Sequence, residues 1–130
     1  MKRDNIKIEG MSQDEILALP DEHLDSLIFT GNPVVLRAGS AEVLGSFSCS
    51  ELALQIELAQ IDGGGEGVLV LLTVLAKKIA RRRNCKTLEW VVHAVDCADP
   101  NLKLRRVLER RGFEVAPYGS SSAYLLSEAV

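Results

Sequence analysis

The stretch Asp62-Gly63-Gly64-Gly65-Glu66-Gly67 places four glycines in five positions. Without Cβ atoms such backbone is open to close approach. Where it leads into a helix, the unpaired amides at the helix start form a site for an anion such as a phosphate. Two familiar phosphate loops are excluded. A P-loop closes on Gly-Lys-Ser/Thr, whereas Gly67 is followed by Val68-Leu69. A dinucleotide GxGxxG fingerprint started at Gly63 meets Val68 at its last position, and one started at Gly65 meets Val70. Cys49, Cys85 and Cys97 are widely spaced with no CxxC pair, and His23 and His93 form neither HxxxH nor HExxH. The sequence therefore predicts free, buried or half-buried thiols and no metal site. His93 and Cys97 lack a third group to orient them as a thiol–base pair.

Charge is unevenly spread. Lys77 to Arg111 holds eleven Lys/Arg against four acids, a balance of +7, while the rest of the chain carries four basic and fourteen acidic residues, or −10. A split of this kind suits a surface that meets phosphate or another acidic partner. Only Trp90 is aromatic inside that stretch, with Phe113 just beyond it, so the interleaved stacking residues of a nucleic-acid binder are missing.

The elements around the glycines explain what they position. Leu52, Leu54, Ile56 and Leu58 alternate with Ala53, Gln55, Glu57 and Ala59, the period of a strand with one apolar face and one small, polar face. After the glycines the period becomes helical. Val68, Leu69, Leu72, Leu75, Ala76, Ile79 and Ala80 face inward, and Lys77, Lys78, Arg81 and Arg82 face outward. Thr87 to Val95 is apolar on both faces and reads as a central strand. Leu104, Val107 and Leu108 stripe a helix that Gly112 terminates, and Phe113-Glu114-Val115 and Ala123–Leu126 read as strands around a Tyr118–Ser122 loop. Upstream, Ser12-Gln13-Asp14-Glu15 is a capping box, Pro20-Asp21-Glu22 starts a second helix, and Val34–Ala38 and Glu42–Phe47 form a hairpin.

The predicted order is helix, helix, three strands, glycine loop, helix, strand, helix, two strands. That is an α/β layer structure with a mixed, twisted central sheet and helices on both faces. The chain has 130 residues, one domain's worth, with residues 1–10 as a loose leader around a short Ile6–Ile8 strand and 11–130 as the domain. Its longest apolar run, Val68–Leu72, is far short of the roughly 20 residues of a membrane span, and the start lacks a signal peptide's apolar segment. The expected location is cytoplasmic, with no membrane partner. The expected core is Leu58, Leu72, Leu75, Ile79, Leu88, Trp90, Val92, Leu104 and Leu108.

The strand, the Gln60–Gly67 loop, the long helix, the Leu88–Val92 strand, and Asn101 followed eleven residues later by Gly112-Phe113 resemble the GCN5-related N-acetyltransferase (GNAT) family over residues 34–126. The family's acyl-CoA signature, Gln/Arg-x-x-Gly-x-Gly/Ala at a helix start, fits literally as Gln60-x-x-Gly63-x-Gly65. The helix spacing favours Gly65-x-Gly67, which puts Asp62 in the Gln/Arg position. The resemblance implies a GNAT-like three-layer fold and acetyl-CoA as co-substrate. Backbone amides of Gly63, Gly64, Gly65, Glu66, Gly67 and Val68 would hold its pyrophosphate. Its pantetheine would lie between the Leu52–Ile61 and Thr87–Val95 strands, and Asn101 and Arg105, with Arg106, would hold the rest.

The resemblance also implies transfer of an acetyl group to an amine, with Glu57 or Glu51 as base on the right strand and His93 and Glu89 as weaker candidates. It departs from the family at Leu108, seven residues after Asn101, where a tyrosine often serves as general acid. The leading reading is an acetyl-CoA-dependent N-acetyltransferase acting on an unidentified amine. The alternative is an inactive domain of the same fold that binds acyl-CoA or a partner, as Leu108 and Asp62 suggest. A third reading gives the Lys77–Arg111 surface to RNA or an acidic protein. The acceptor's identity and a homodimer both stay open.

Overall fold

The computed structural model describes residues 6–8, 10–38, 41–50, 52–62, 66–95 and 102–130. The elements are β1 (Ile6–Ile8), β2 (Met11–Ser12), α1 (Gln13–Leu17), α2 (Asp21–Ile28), β3 (Val34–Ala38), β4 (Ala41–Cys49), β5 (Ala53–Asp62), α3 (Glu66–Arg82), β6 (Thr87–Val92), α4 (Leu102–Arg110), β7 (Glu114–Tyr118) and β8 (Ser121–Ala129). They build one mixed sheet in the order β2-β1-β3-β4-β5-β6-β8-β7. Among the described strands only the neighbours β5 and β6 run parallel, from Ala53↔Thr87 to Leu58↔Val92, and α3 makes the crossover between them. This is the mixed α/β architecture that the order of elements predicts, and β6 is central as its composition requires.

Alternation sorts the sheet into two unlike faces. Ile8, Leu36, Val43, Phe47, Leu54, Ile56, Leu58, Leu88, Trp90 and Val92 are buried on one of them. Leu69, Leu72, Leu75, Ala76, Ile79 and Ala80 of α3 and Leu104, Val107 and Leu108 of α4 complete this core, so all nine expected core residues are buried. The opposite face of β5 and β6 presents Gln55, Glu57 and Glu89.

The described helices share the core built on the apolar face, and α3 and α4 lie on the same side of it. α3 packs beside α1, and Arg82 at its end reaches Asp21 at the start of α2. Arg111, just past α4, donates to Thr73 of α3, and Glu109 of α4 accepts from Tyr124. Chirality explains this. The β5-α3-β6 and β6-α4-β7 units both step the same way along the sheet, and right-handed crossovers stepping one way leave their helices on one face.

Local chemistry sets the ends of the elements. Ser12 and Glu15 close the capping box, with Ser12 N to Glu15 Oε1 at 2.9 Å and Glu15 N to Ser12 Oγ at 3.2 Å. Leu52 is exposed, because β5 begins one residue later and the Leu52 carbonyl accepts from Lys86 N at 2.6 Å and Thr87 N at 3.2 Å. Thr87–Val95 shortens to Thr87–Val92, since the carbonyls of Ala94 and Val95 turn to the Arg105 guanidinium at 2.7 Å each. Tyr118–Ser122 tightens from a loop to a two-residue hairpin turn, with Tyr118 opposite Ser121 and Gly119 at φ +62°. The Ile6–Ile8 strand pairs with β3, and Ile8 is fully buried. No helix among the described residues is long and apolar enough to cross a membrane.

Candidate functional site

The parallel pair makes the site. Its last rung is His93 N to Leu58 O at 2.9 Å. Beyond it β5 continues to Asp62 along β4, while the chain after β6 turns away to Arg105. The two strands therefore part at their C-terminal ends, and the segment leaving β5 becomes α3 at Glu66. Three glycines separate the end of β5 from the first turn of α3. In α/β sheets this edge is where ligands are received.

On the polar face beside the parting strands, three elements bring four side chains together. Glu57 of β5 accepts through Oε2 at 2.7 Å from His93 Nε2, and Tyr118 of β7 donates to its Oε1 at 3.3 Å. Gln55, two residues back on the same face, donates to the Tyr118 hydroxyl at 3.1 Å. The Tyr118 and His93 rings meet edge to face, their centroids 5.7 Å apart. Glu57 and His93 are each about one-third exposed, so the carboxylate is held from both oxygens yet open to solvent. A carboxylate with this support has a fixed direction for taking a proton, and His93 is placed to share the charge. Tyr118 and Gln55 also line a groove of about 480 Å³ that runs on past Glu89, Val91, Leu125 and Ser127.

Of the predicted catalytic residues, Glu57 stands in this cluster, and Glu51 lies outside the described residues. Of the predicted acyl-CoA residues, Gly63, Gly64, Gly65 and Asn101 also lie outside them. Glu66, Gly67 and Val68 form the first turn of α3, whose opening amides have no helical carbonyl to pair with. Arg105 spends Nε and Nη2 on the Ala94 and Val95 carbonyls, which ties α4 to the chain leaving β6. Leu108 is fully buried in the core. Sequence reading missed Tyr118 as a site residue. Its contacts with Gln55 and Glu57 span 63 and 61 residues, and only the shared face of Glu114, Ala116 and Tyr118 in a correctly registered β7 would have signalled it.

Among the described residues no group of three or more His, Cys, Asp or Glu side chains is arranged to hold a metal ion. The basic cluster is partly occupied with structural work. Arg82 bonds Asp21 and the carbonyls of Leu17 and Leu19, and Arg83 pairs with Asp25 at 2.9 Å and lies over the Phe29 ring.

No family model and no curated protein matches the chain. Among solved structures it is similar to Ard1 from Thermoplasma volcanium, with TM-score 0.48, 14% identity and 99% of each chain covered. It is similar to a Bacillus subtilis acetyltransferase in complex with CoA, with TM-score 0.45, 12% identity, and 98% of this chain and 99% of that one covered. It is similar also to the PaiA N-acetyltransferase from Thermoplasma acidophilum in complex with coenzyme A, with TM-score 0.44, 12% identity, and 96% and 99% covered. At these identities and overlaps the likeness transfers no residue role to this chain.

Proposed function

We propose that the chain is an acyl-CoA-dependent N-acetyltransferase whose acceptor amine docks on the polar face of β5 and β6. The observation that carries this reading is the parting of the parallel strands beyond Leu58 and His93, on the strand whose chain leads into α3 at Glu66. An extended thioester arm fits such a gap because its amides can pair with strand edges left open. The first-turn amides of α3 suit a pyrophosphate, with Gly63, Gly64, Gly65, Glu66, Gly67 and Val68 as its cradle and Asn101 as a further holder. Bound there, acetyl-CoA supplies an acyl group already activated as a thioester.

The chain's own residues do the rest. Glu57 takes the proton that the acceptor's ammonium must lose before its nitrogen can act as a nucleophile, and His93 and Tyr118 hold the carboxylate in place. Glu89, exposed at the groove, favours a cationic acceptor. Release of CoA thiol from acetyl-CoA on addition of a panel of primary amines tests the reading. Turnover that falls in Glu57→Gln supports it. Turnover unchanged in Glu57→Gln, Glu51→Gln and their double variant removes both carboxylates as bases.

Leu108 favours a second reading, a domain that binds acyl-CoA without transfer. At the position where the resemblance expects a tyrosine acid, the side chain is sealed in the core and does not face the site. CoA binding without thiol release on any amine selects this reading.

A further inference from the structure

Cys49 ends β4, and Cys85 lies between α3 and β6, yet their sulfurs are 3.3 Å apart across 36 residues. The contact joins two firmly held backbones. α3 terminates in a Schellman motif, with Asn84 in the left-handed region at φ +61°, Cys85 N to Ala80 O at 2.8 Å and Asn84 N to Arg81 O at 3.2 Å. That motif fixes Cys85. Cys49 is fixed by its register opposite Leu54 and by the turn closed by Ser50 N to Ala53 O at 3.0 Å. A disulfide needs the sulfurs about 1.3 Å closer than this, within reach of a change in side-chain torsion. The two thiols differ in access. Cys49 is exposed and Cys85 is buried. Burial and the neighbouring Cys49 push the Cys85 thiol up to about 11, so it stays protonated while Cys49 meets solvent.

We propose that Cys49 and Cys85 form a dithiol redox site that a low-molecular-weight disulfide converts to an intramolecular disulfide. The Cys49 thiolate attacks one sulfur of the reagent, forming a mixed disulfide and releasing one thiol. Cys85 then attacks the Cys49 sulfur, the Cys49–Cys85 bond forms, and the second thiol leaves with the Cys85 proton. Two protein thiols are oxidised and one reagent disulfide is reduced to two thiols. The bond ties the end of β4 to the start of β6, at the pole of the sheet away from Glu57 and His93.

The test treats the full chain, carrying Cys97→Ser to remove the third thiol, with glutathione disulfide. The expected product loses both free thiols and retains no glutathione. Trypsin then gives the segment 38–77 linked to the segment 84–86. Closing a loop of this length raises Tm by roughly 10 °C, reversed by dithiothreitol. Adding Cys49→Ser, an exposed position that leaves the fold intact, abolishes the bridge and leaves Cys85 unreacted. Adding Cys85→Ser leaves one glutathione on Cys49. Glutathione retained on Cys49 beside a free Cys85 overturns the proposal. So do two thiols that stay reduced where the urea-unfolded chain reacts.

Discussion

At the scale of single residues, Glu57 joins sequence to site. It sits on the polar side of an alternating strand, and the same alternation that buries Leu58 turns it toward His93 and Tyr118. Loss of a positioned acid or base lowers turnover by about a hundred- to ten-thousand-fold, so steady-state thiol release by Glu57→Gln should fall in that range. Tyr118→Phe removes one bond to the carboxylate and keeps the ring against His93, so its loss should be smaller than that of Glu57→Gln in the same assay. Leu108→Tyr will not create an acid. The side chain is fully buried, and overpacking a sealed core costs about 1–3 kcal/mol, readable as a lower urea midpoint. Glu57 was legible from period and strand direction. Tyr118 was not, because its place depends on a two-residue turn that the serine run disguised as a loop.

The elements were mostly legible, and the departures share a cause. β6 stops at Val92 because an arginine one helix later competes for the next carbonyls, which no local window contains. Arg105→Ala should cost about 2 kcal/mol through two lost charge-assisted bonds, measured by urea unfolding with an unchanged m-value. The distribution of helices follows from the direction of strand steps and not from any pattern of residues. By contrast the α1 start was read outright, since a capping box is local. There the Ser12 backbone N–H, and after it the Ser12 side chain, holds the Glu15 carboxyl below its ordinary value of 4.5. A folded-state value below the unfolded one gives stability that is complete above the ordinary carboxylate range and is lost as pH falls through the folded value. The stability difference between wild type and Glu15→Gln should therefore be flat near neutrality and shrink below about pH 4.5 in pH-resolved urea titrations.

Over the whole molecule, an apolar sheet face covered by helices leaves the other face to solvent, and the polar cluster and groove occupy it. The +7 balance of Lys77–Arg111 is less a docking surface than it looks in the sequence. Arg82, Arg83, Arg105 and Arg111 hold α2, β6 and α3 in place, a use invisible without tertiary contacts. The parting of β5 and β6, on the strand that leads into α3, is the proposed acyl-CoA site. Titration with CoA, followed by unfolding temperature and calorimetry, tests it most directly. Ligand at about a hundred times its dissociation constant should stabilise the wild type by roughly 2.7 kcal/mol. Gly67→Val, which puts a branched side chain on the first turn of α3, should remove that gain while the apo protein stays folded. A wild type that neither binds CoA nor acetyl-CoA, or a Gly67→Val variant that binds them as tightly, would contradict the account.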